Sequence, residues 1–407
     1  LNLKEFNMAH GDHLYDTYNP PKQNFIRGEG AYLYTENGNK YLDFIAGISV
    51  NCLGHNHPSP KKALIDQANK VWHLSGMFQL PGAKALAEKY CQALPFAEKV
   101  FFTNSGAEAL ECAMKSARKY HYDNGSPEKV DIITFPGAFH GRTFATINAG
   151  GNPKYLKGFG PTLPGFIHLP FADHDALEKA ISKTTAAILI EPVQGEGGLR
   201  PVPDQCLLGL RKVCDDNNIL LIYDEVQCGA GRTGRLFAHQ WVEGAEPDIM
   251  AVAKGVGGGF PIGACIASGK VGAGMVPGTH GSTYGGNPLA TAVGNAVWDE
   301  ISKPAFLKNV NIISDLIKKE FEQLKHDFPD VVQELRGKGL LCGMKLKKPA
   351  LEVRKMMLEK FMLGGSAGDN VLRLAPPLII NETHVTEAVN ILRACFEEAK
   401  KLDDFEG

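Results

Sequence analysis

The chain has 407 residues, more than the roughly 250–300 at which a single hydrophobic core stops growing, so one large domain and a smaller one are expected. Its 44% hydrophobic and 22% charged residues, with 45 glycines, suit a soluble α/β protein, and a net charge of -2 leaves no basic excess for nucleic acid or an anionic membrane. No apolar run approaches the ~18 residues that would span a bilayer, and nine cysteines without a CxxC pair read as reduced core thiols.

The opening LNLKEFNMAHGD has no apolar signal-peptide stretch, which makes the cytoplasm the expected location. Leu1 is not a Met, so Met8 is a candidate native start and residues 1–7 are candidates for processing or addition. Residues 1–55 hold the strand-like runs Ala31-Tyr-Leu-Tyr34 and Lys40-Tyr-Leu-Asp-Phe44 between Gly and Asn turns. From 56 to 295, apolar runs of strand length alternate with segments of helical period. The runs begin at Lys99, Asp131, Ala186, Ile219, Ile249 and Gly263. They are continuously apolar rather than alternating, as strands covered on both faces are. A large α/β domain with a mostly parallel, helix-flanked sheet is predicted. From 296 to 407 long charged helices, Phe306 to Phe328 and Leu392 to Leu402, surround short strands. They predict a small α+β domain joined by the N-terminal segment.

Open α/β sheets bind ligands outside the carboxyl ends of their strands. The first run is followed by Asn104-Ser-Gly-Ala-Glu, the second by Pro136-Gly-Ala-Phe-His-Gly-Arg142, and the third by Glu191-Pro-Val-Gln-Gly-Glu-Gly-Gly198. The fourth ends in Asp224-Glu-Val-Gln227 and the fifth in Lys254. Ser105, Gly106 and Ala107 open a helix whose first free N–H groups suit a phosphate, although an ordinary Asn/Ser cap explains them equally well. Asp224 behind its apolar strand is either a structural ion-pair partner or a carboxylate held ionised against a cationic ring nitrogen. Glu225 beside it is not read as part of a metal site, and His55-Asn-His57 stands alone on a Gly/Pro turn, so no metal is expected. Lysine is rarely buried without a reason. A partly desolvated Lys254 has a depressed pKa and attacks aldehydes. One lysine, one anion cup and one carboxylate together match pyridoxal 5'-phosphate. The run Gly255-Val-Gly-Gly-Gly-Phe260 is a poor dinucleotide fingerprint, with Phe where the third Gly belongs.

From about Tyr15 to Phe396 the chain resembles the class III, fold-type-I PLP-dependent aminotransferases. The resemblance rests on Leu221-Ile-Tyr-Asp-Glu-Val-Gln-Cys-Gly-Ala-Gly-Arg-Thr-Gly234 with the following Lys254, and on Gly281-Ser-Thr-Tyr-Gly-Gly-Asn-Pro288. It implies that Lys254 carries the cofactor and that Asp224 pairs with its ring nitrogen. Phe139 and Val226 would cover the two ring faces, Gln227 would bond the ring hydroxyl, and Gly106 and Ala107 the phosphate. Thr283 would reach the phosphate of a neighbouring subunit, which implies a homodimer. Arg142 would take a distal carboxylate and Arg373 an α-carboxylate, with Glu196 as the acid that neutralises Arg373 when an ω-amine is bound. Leu372 and Leu374 beside Arg373 already argue that it points inward. The motifs look closest to the acetylornithine aminotransferases of arginine biosynthesis, which act with 2-oxoglutarate, and Ser282 would contact that substrate. Ornithine aminotransferases place a tyrosine where this chain has Ile48, yet Tyr18 matches a tyrosine they use. Succinylornithine, succinyldiaminopimelate and ornithine enzymes are the near alternatives. A PLP isomerase or decarboxylase is the more distant one, since it has no need of two arginines and a switch glutamate.

Overall fold

The computed structural model describes residues 13–406; Met8, the candidate start, lies outside them. Near the N-terminus β1 (Phe25–Glu29), β2 (Tyr32–Thr35) and β3 (Lys40–Asp43) form an antiparallel meander. A seven-stranded sheet then begins with β4 (Lys99–Thr103), β5 (Asp131–Thr134), β6 (Phe166–His168) and β7 (Thr185–Ile190). The short pair β8 (Val193–Gln194) and β9 (Arg200–Pro201) interrupts it. It resumes with β10 (Leu220–Asp224), β11 (Ile249–Val252) and β12 (Gly263–Ala267). The spatial order is β4-β12-β11-β10-β7-β5-β6.

All pairings are parallel except the two made by β12, which runs against both β11 and β4. The carboxyl ends of β4, β5, β7, β10 and β11 therefore share one edge, and β12 starts from that same edge. Every residue of β7, β10, β11 and β12 is buried. Alternate residues serve two cores: Ile188, Leu221, Tyr223, Met250 and Val252 go to one, and Leu189, Leu220, Ile222 and Ala251 to the other. The second core is closed by Ala109, Leu110, Ala113, Met114 and Ala117, one stripe of the helix Gly106–Asp123. The edge strand β6 is not foreshadowed by any apolar run, because three residues are too few to signal one.

The C-terminal part holds β13 (Val332–Lys338), β14 (Leu341–Leu346), β15 (Met362–Leu363), β16 (Gly365–Ala367) and β17 (Val371–Leu374). Four of these form the antiparallel sheet β13-β14-β17-β16, while β15 pairs in parallel with β3 and so ties on the N-terminal meander. The helix expected from Phe306 runs Pro304–Asp327. The last helix runs Glu382–Ala399, starting ten residues before Leu392. Asn381 sets that start, its side chain accepting from His384 N at 3.2 Å. Thr383, Val385 and Thr386, poor helix formers, hide it in the sequence.

Candidate active site

The strand ends at the shared edge enclose a cavity of ≈ 450 Å³. Each expected segment contributes to its wall: Asn104 to Ala107 after β4, Phe139 to Arg142 after β5, Glu191 and Glu196 after β7, Asp224, Val226 and Gln227 at β10, and Lys254 after β11. Phe260, Pro261 and Ile262 enter just before β12, and Val50 comes from the N-terminal region.

Ser105 caps the helix Gly106–Asp123, its hydroxyl accepting from Glu108 N at 3.3 Å, while Glu108 reaches back to Asn104 N at 2.6 Å. The cap and the phosphate cup are therefore compatible: the cap satisfies the third helical N–H and leaves those of Gly106 and Ala107 without an acceptor among the described residues. Gly106 is glycine for a different reason than ligand approach. A Cβ there would lie 2.7 Å from Val226 Cγ1, so the cup closes only because Val226 packs on a bare Cα.

Asp224 is 2% exposed. Its Oδ2 meets His140 Nδ1 at 2.8 Å and its Oδ1 accepts from Val226 N at 3.0 Å. Glu191, also buried, accepts from Phe139 N at 2.9 Å and Gly195 N at 3.0 Å, fastening the loops after β5 and β7 together. Burial raises its pKa and the Asp224 charge raises it further, while His140 and the two backbone donors pull the other way. Neither His140 nor Glu191 is singled out by sequence reasoning. Glu191 nonetheless carries the signal that marks Asp224, an acid directly after a fully apolar strand. Glu225, by contrast, is committed to structure: it accepts from His239 N at 2.9 Å and faces His239 Nδ1 at 2.7 Å.

Lys254 lies deep in the cavity wall with part of its surface still accessible. Its φ of +47° is a strained, left-handed conformation for a side chain of this size. Burial depresses its pKa; the charge on Arg373 adds to the effect and those of Asp224, Glu191 and Glu196 oppose it. A lowered pKa leaves more of the lysine as the free, nucleophilic amine.

Arg373 sits in the middle of β17, 4% exposed. Its cross-strand partners are Gly343 and Gly365, which leave room for the guanidinium. Its Nη1 is ion-paired with Glu196. Arg142 is exposed at the cavity wall. Tyr18 is 77% exposed and does not line the cavity. Ser282 and Thr283 do not line it either. They belong to a neighbouring cavity of ≈ 330 Å³, joined to the first through Asn104, whose Nδ2 donates to Ser282 Oγ at 3.2 Å. Ile48 lies in a run of four left-handed residues, Ala46 to Ser49, ahead of Val50. The Asp43 carboxylate holds the entry to that run by accepting from Ile45 N at 3.0 Å and Ala46 N at 2.8 Å.

The family model for class III aminotransferases matches residues 16–396. The chain belongs to the class III aminotransferases. It is 54% identical over 384 residues to the acetylornithine aminotransferase of Mesorhizobium japonicum, covering 94% of this chain and 96% of that one. Among solved structures, the N-acetylornithine aminotransferase of Stenotrophomonas maltophilia matches with TM-score 0.82 and 37% identity over 93% of this chain and 96% of that one. The ornithine aminotransferase of Toxoplasma gondii matches with TM-score 0.90 and 30% identity over 95% and 93%. The two measures rank the relatives differently. Backbone similarity reports the shared fold, and sequence identity is the better guide to a substrate pocket built from side chains.

As a class III aminotransferase the protein is a pyridoxal 5'-phosphate enzyme, and its cavity fits the cofactor. The Gln227 Oε1 is buried without a hydrogen-bond partner among the described residues. Gly195 exists to admit that amide, since a Cβ there would stand 1.7 Å from Oε1. An anion cup, a buried carboxylate, an orphaned amide oxygen and a depressed lysine share one wall of a size usual for small-ligand sites.

Proposed function

We propose that the enzyme transfers the terminal amino group of N2-acetyl-L-ornithine to 2-oxoglutarate, giving N-acetyl-L-glutamate 5-semialdehyde and L-glutamate, a step of arginine biosynthesis. The observation that carries this reading is the 54% identity, across nearly the full length of both chains, to an acetylornithine aminotransferase.

Bound pyridoxal 5'-phosphate supplies an aldehyde for covalent attachment and a ring that accepts the electron pair released at the substrate carbon. The chain's own residues do the rest. Gly106 and Ala107 bind the phosphate through backbone N–H groups, and Ser105 adds its hydroxyl. Phe139 and Val226 hold the ring from its two faces, and Gln227 bonds the ring hydroxyl. Asp224 would pair with the ring nitrogen, held in orientation by His140 and Val226 N. Lys254 anchors the cofactor. Its Nζ would also be the base that takes the proton from the substrate carbon bearing the amine. Arg142 receives the carboxylate at the far end of the amine donor. Glu196 neutralises Arg373 while that donor is bound and releases it for the α-carboxylate of glutamate or 2-oxoglutarate, because an unpaired buried guanidinium is costly. The second substrate retraces the same steps in reverse, so ping-pong kinetics follow.

The active unit in this reading is a homodimer in which Thr283 reaches the partner's phosphate and Ser282 lies near the substrate. Two features support it. Thr283 is exposed and outside its own chain's cavity. The neighbouring Tyr284 is 61% exposed and its ring lies 5.1 Å from that of His73, tilted at 51°, in a segment whose Trp72, Met77 and Phe78 are exposed too.

The test is kcat/KM for N2-acetylornithine, N-succinylornithine, ornithine, 4-aminobutyrate and N-succinyldiaminopimelate, each with 2-oxoglutarate. N2-acetylornithine is expected to lead. A lead for ornithine would instead favour the activity named for the Toxoplasma gondii relative.

A further inference from the structure

Arg142 stands at the cavity wall with no carboxylate in ion-pair reach among the described residues, and what holds it is aromatic. Its guanidinium carbon lies 3.9 Å from the centre of the Tyr155 ring and 5.5 Å from that of Phe139. The two rings support each other edge-on, with centroids 6.0 Å apart and planes at 88°. Tyr155 belongs to no sequence motif. It sits on the helical turn Pro153–Leu156, which Asn152 caps by accepting from Lys154 N at 3.0 Å.

The geometry separates two uses of one guanidinium. Stacking engages its face, while a carboxylate binds in its plane through the N–H donors along its edge. An acidic partner would compete with substrate for that edge, whereas a ring leaves it free. A flexible arginine held in advance also loses less rotamer freedom when the carboxylate arrives. We propose that Tyr155 is a specificity-determining positioning residue, whose ring face holds Arg142 ready for the distal carboxylate of the substrate. This rests on the reading of Arg142 as the carboxylate-binding residue.

The experiment uses the holoenzyme and two readouts, steady-state kinetics and the calorimetric Kd of glutarate, a dicarboxylate that cannot react. Tyr155→Leu keeps apolar bulk but removes the π face. It is expected to raise KM for N2-acetylornithine and Kd for glutarate by about three- to tenfold, with kcat within about twofold. Tyr155→Phe is expected to match the parent in both. Pentylamine, an amine without a carboxylate, is expected to react with Tyr155→Leu as it does with the parent. In the Arg142→Ala background, Tyr155→Leu is expected to add nothing. The proposal is overturned by an equal loss with pentylamine, by a full further loss in the Arg142→Ala background, or by an unchanged KM and Kd in Tyr155→Leu beside a large effect of Arg142→Ala. If Arg142→Ala itself leaves glutarate binding unchanged, the carboxylate role of Arg142 fails first and this proposal fails with it.

Discussion

At the scale of single residues, Lys254 and Asp224 stand in one wall of the cavity. Burial favours the neutral amine of Lys254 and thus its nucleophilicity. The free amine is the attacking form, so the rate at which the apoprotein captures pyridoxal phosphate rises with pH through the lysine's own pKa. With that pKa lowered, the rise is expected below the ordinary value of 10.5; a midpoint at or above it, followed by absorbance during reconstitution, would contradict the assignment. Asp224 is only 2% exposed, and His140 and the Val226 N–H hold its two oxygens. His140→Ala removes a charge-assisted hydrogen bond worth about 1.5–3 kcal/mol. We expect a cofactor Kd raised about tenfold or more by fluorescence titration, in keeping with that energy.

At the scale of elements, the site is a set of loops held in register by packing rather than by any one motif. The turn after β10 touches the start of the helix Gly106–Asp123 through Val226 against Gly106. Gly106→Ala forces a contact of 2.7 Å apart, at a cost of about 1–3 kcal/mol if the neighbours relax as overpacked cores do. The expected result is weaker cofactor binding and a lower thermal midpoint, both recovered in the double variant Gly106→Ala/Val226→Ala. Failure of the second change to rescue would place the strain elsewhere. The loop after β7 is tied to β17 by the Glu196–Arg373 pair. Glu196→Ala leaves a buried arginine unpaired when an ω-amine is bound but not when 2-oxoglutarate is. We expect kcat/KM for N2-acetylornithine to fall about tenfold or more while that for 2-oxoglutarate changes less than about threefold. Equal losses for both substrates would remove the switch.

At the scale of the whole molecule, the separation of Thr283 from its own chain's cavity makes a prediction about assembly. In the proposed homodimer, Lys254→Ala and Thr283→Ala are each expected to impair activity. Refolding the two together creates mixed dimers in which one site combines an intact Lys254 with an intact Thr283 from the other protomer. About half the activity per mixed dimer should return, as site counting across a two-fold interface requires. No recovery in a sample shown by sedimentation to contain mixed dimers would mean that Thr283 does not serve the partner's site.

The sequence by itself determined the class of fold and the order of the chemistry along it. Continuously apolar strands announce a sheet buried on both faces, and a polar residue at the end of such a strand can only face the ligand edge. Asp224, Lys254 and the Asn104–Ala107 turn are legible for that reason, and Arg373 is legible between two leucines. What the sequence leaves open depends on contacts between segments far apart in the chain. His140 against Asp224, Val226 filling the space over Gly106 and Tyr155 beneath Arg142 have no local periodicity, cap or spacing to betray them, and the position of Glu191 after an apolar strand does not say that it joins two loops. Only tertiary packing decides them, because a hydrogen bond or a ring contact is fixed by distance in space, whereas the pattern along a chain records only which side of an element faces the core.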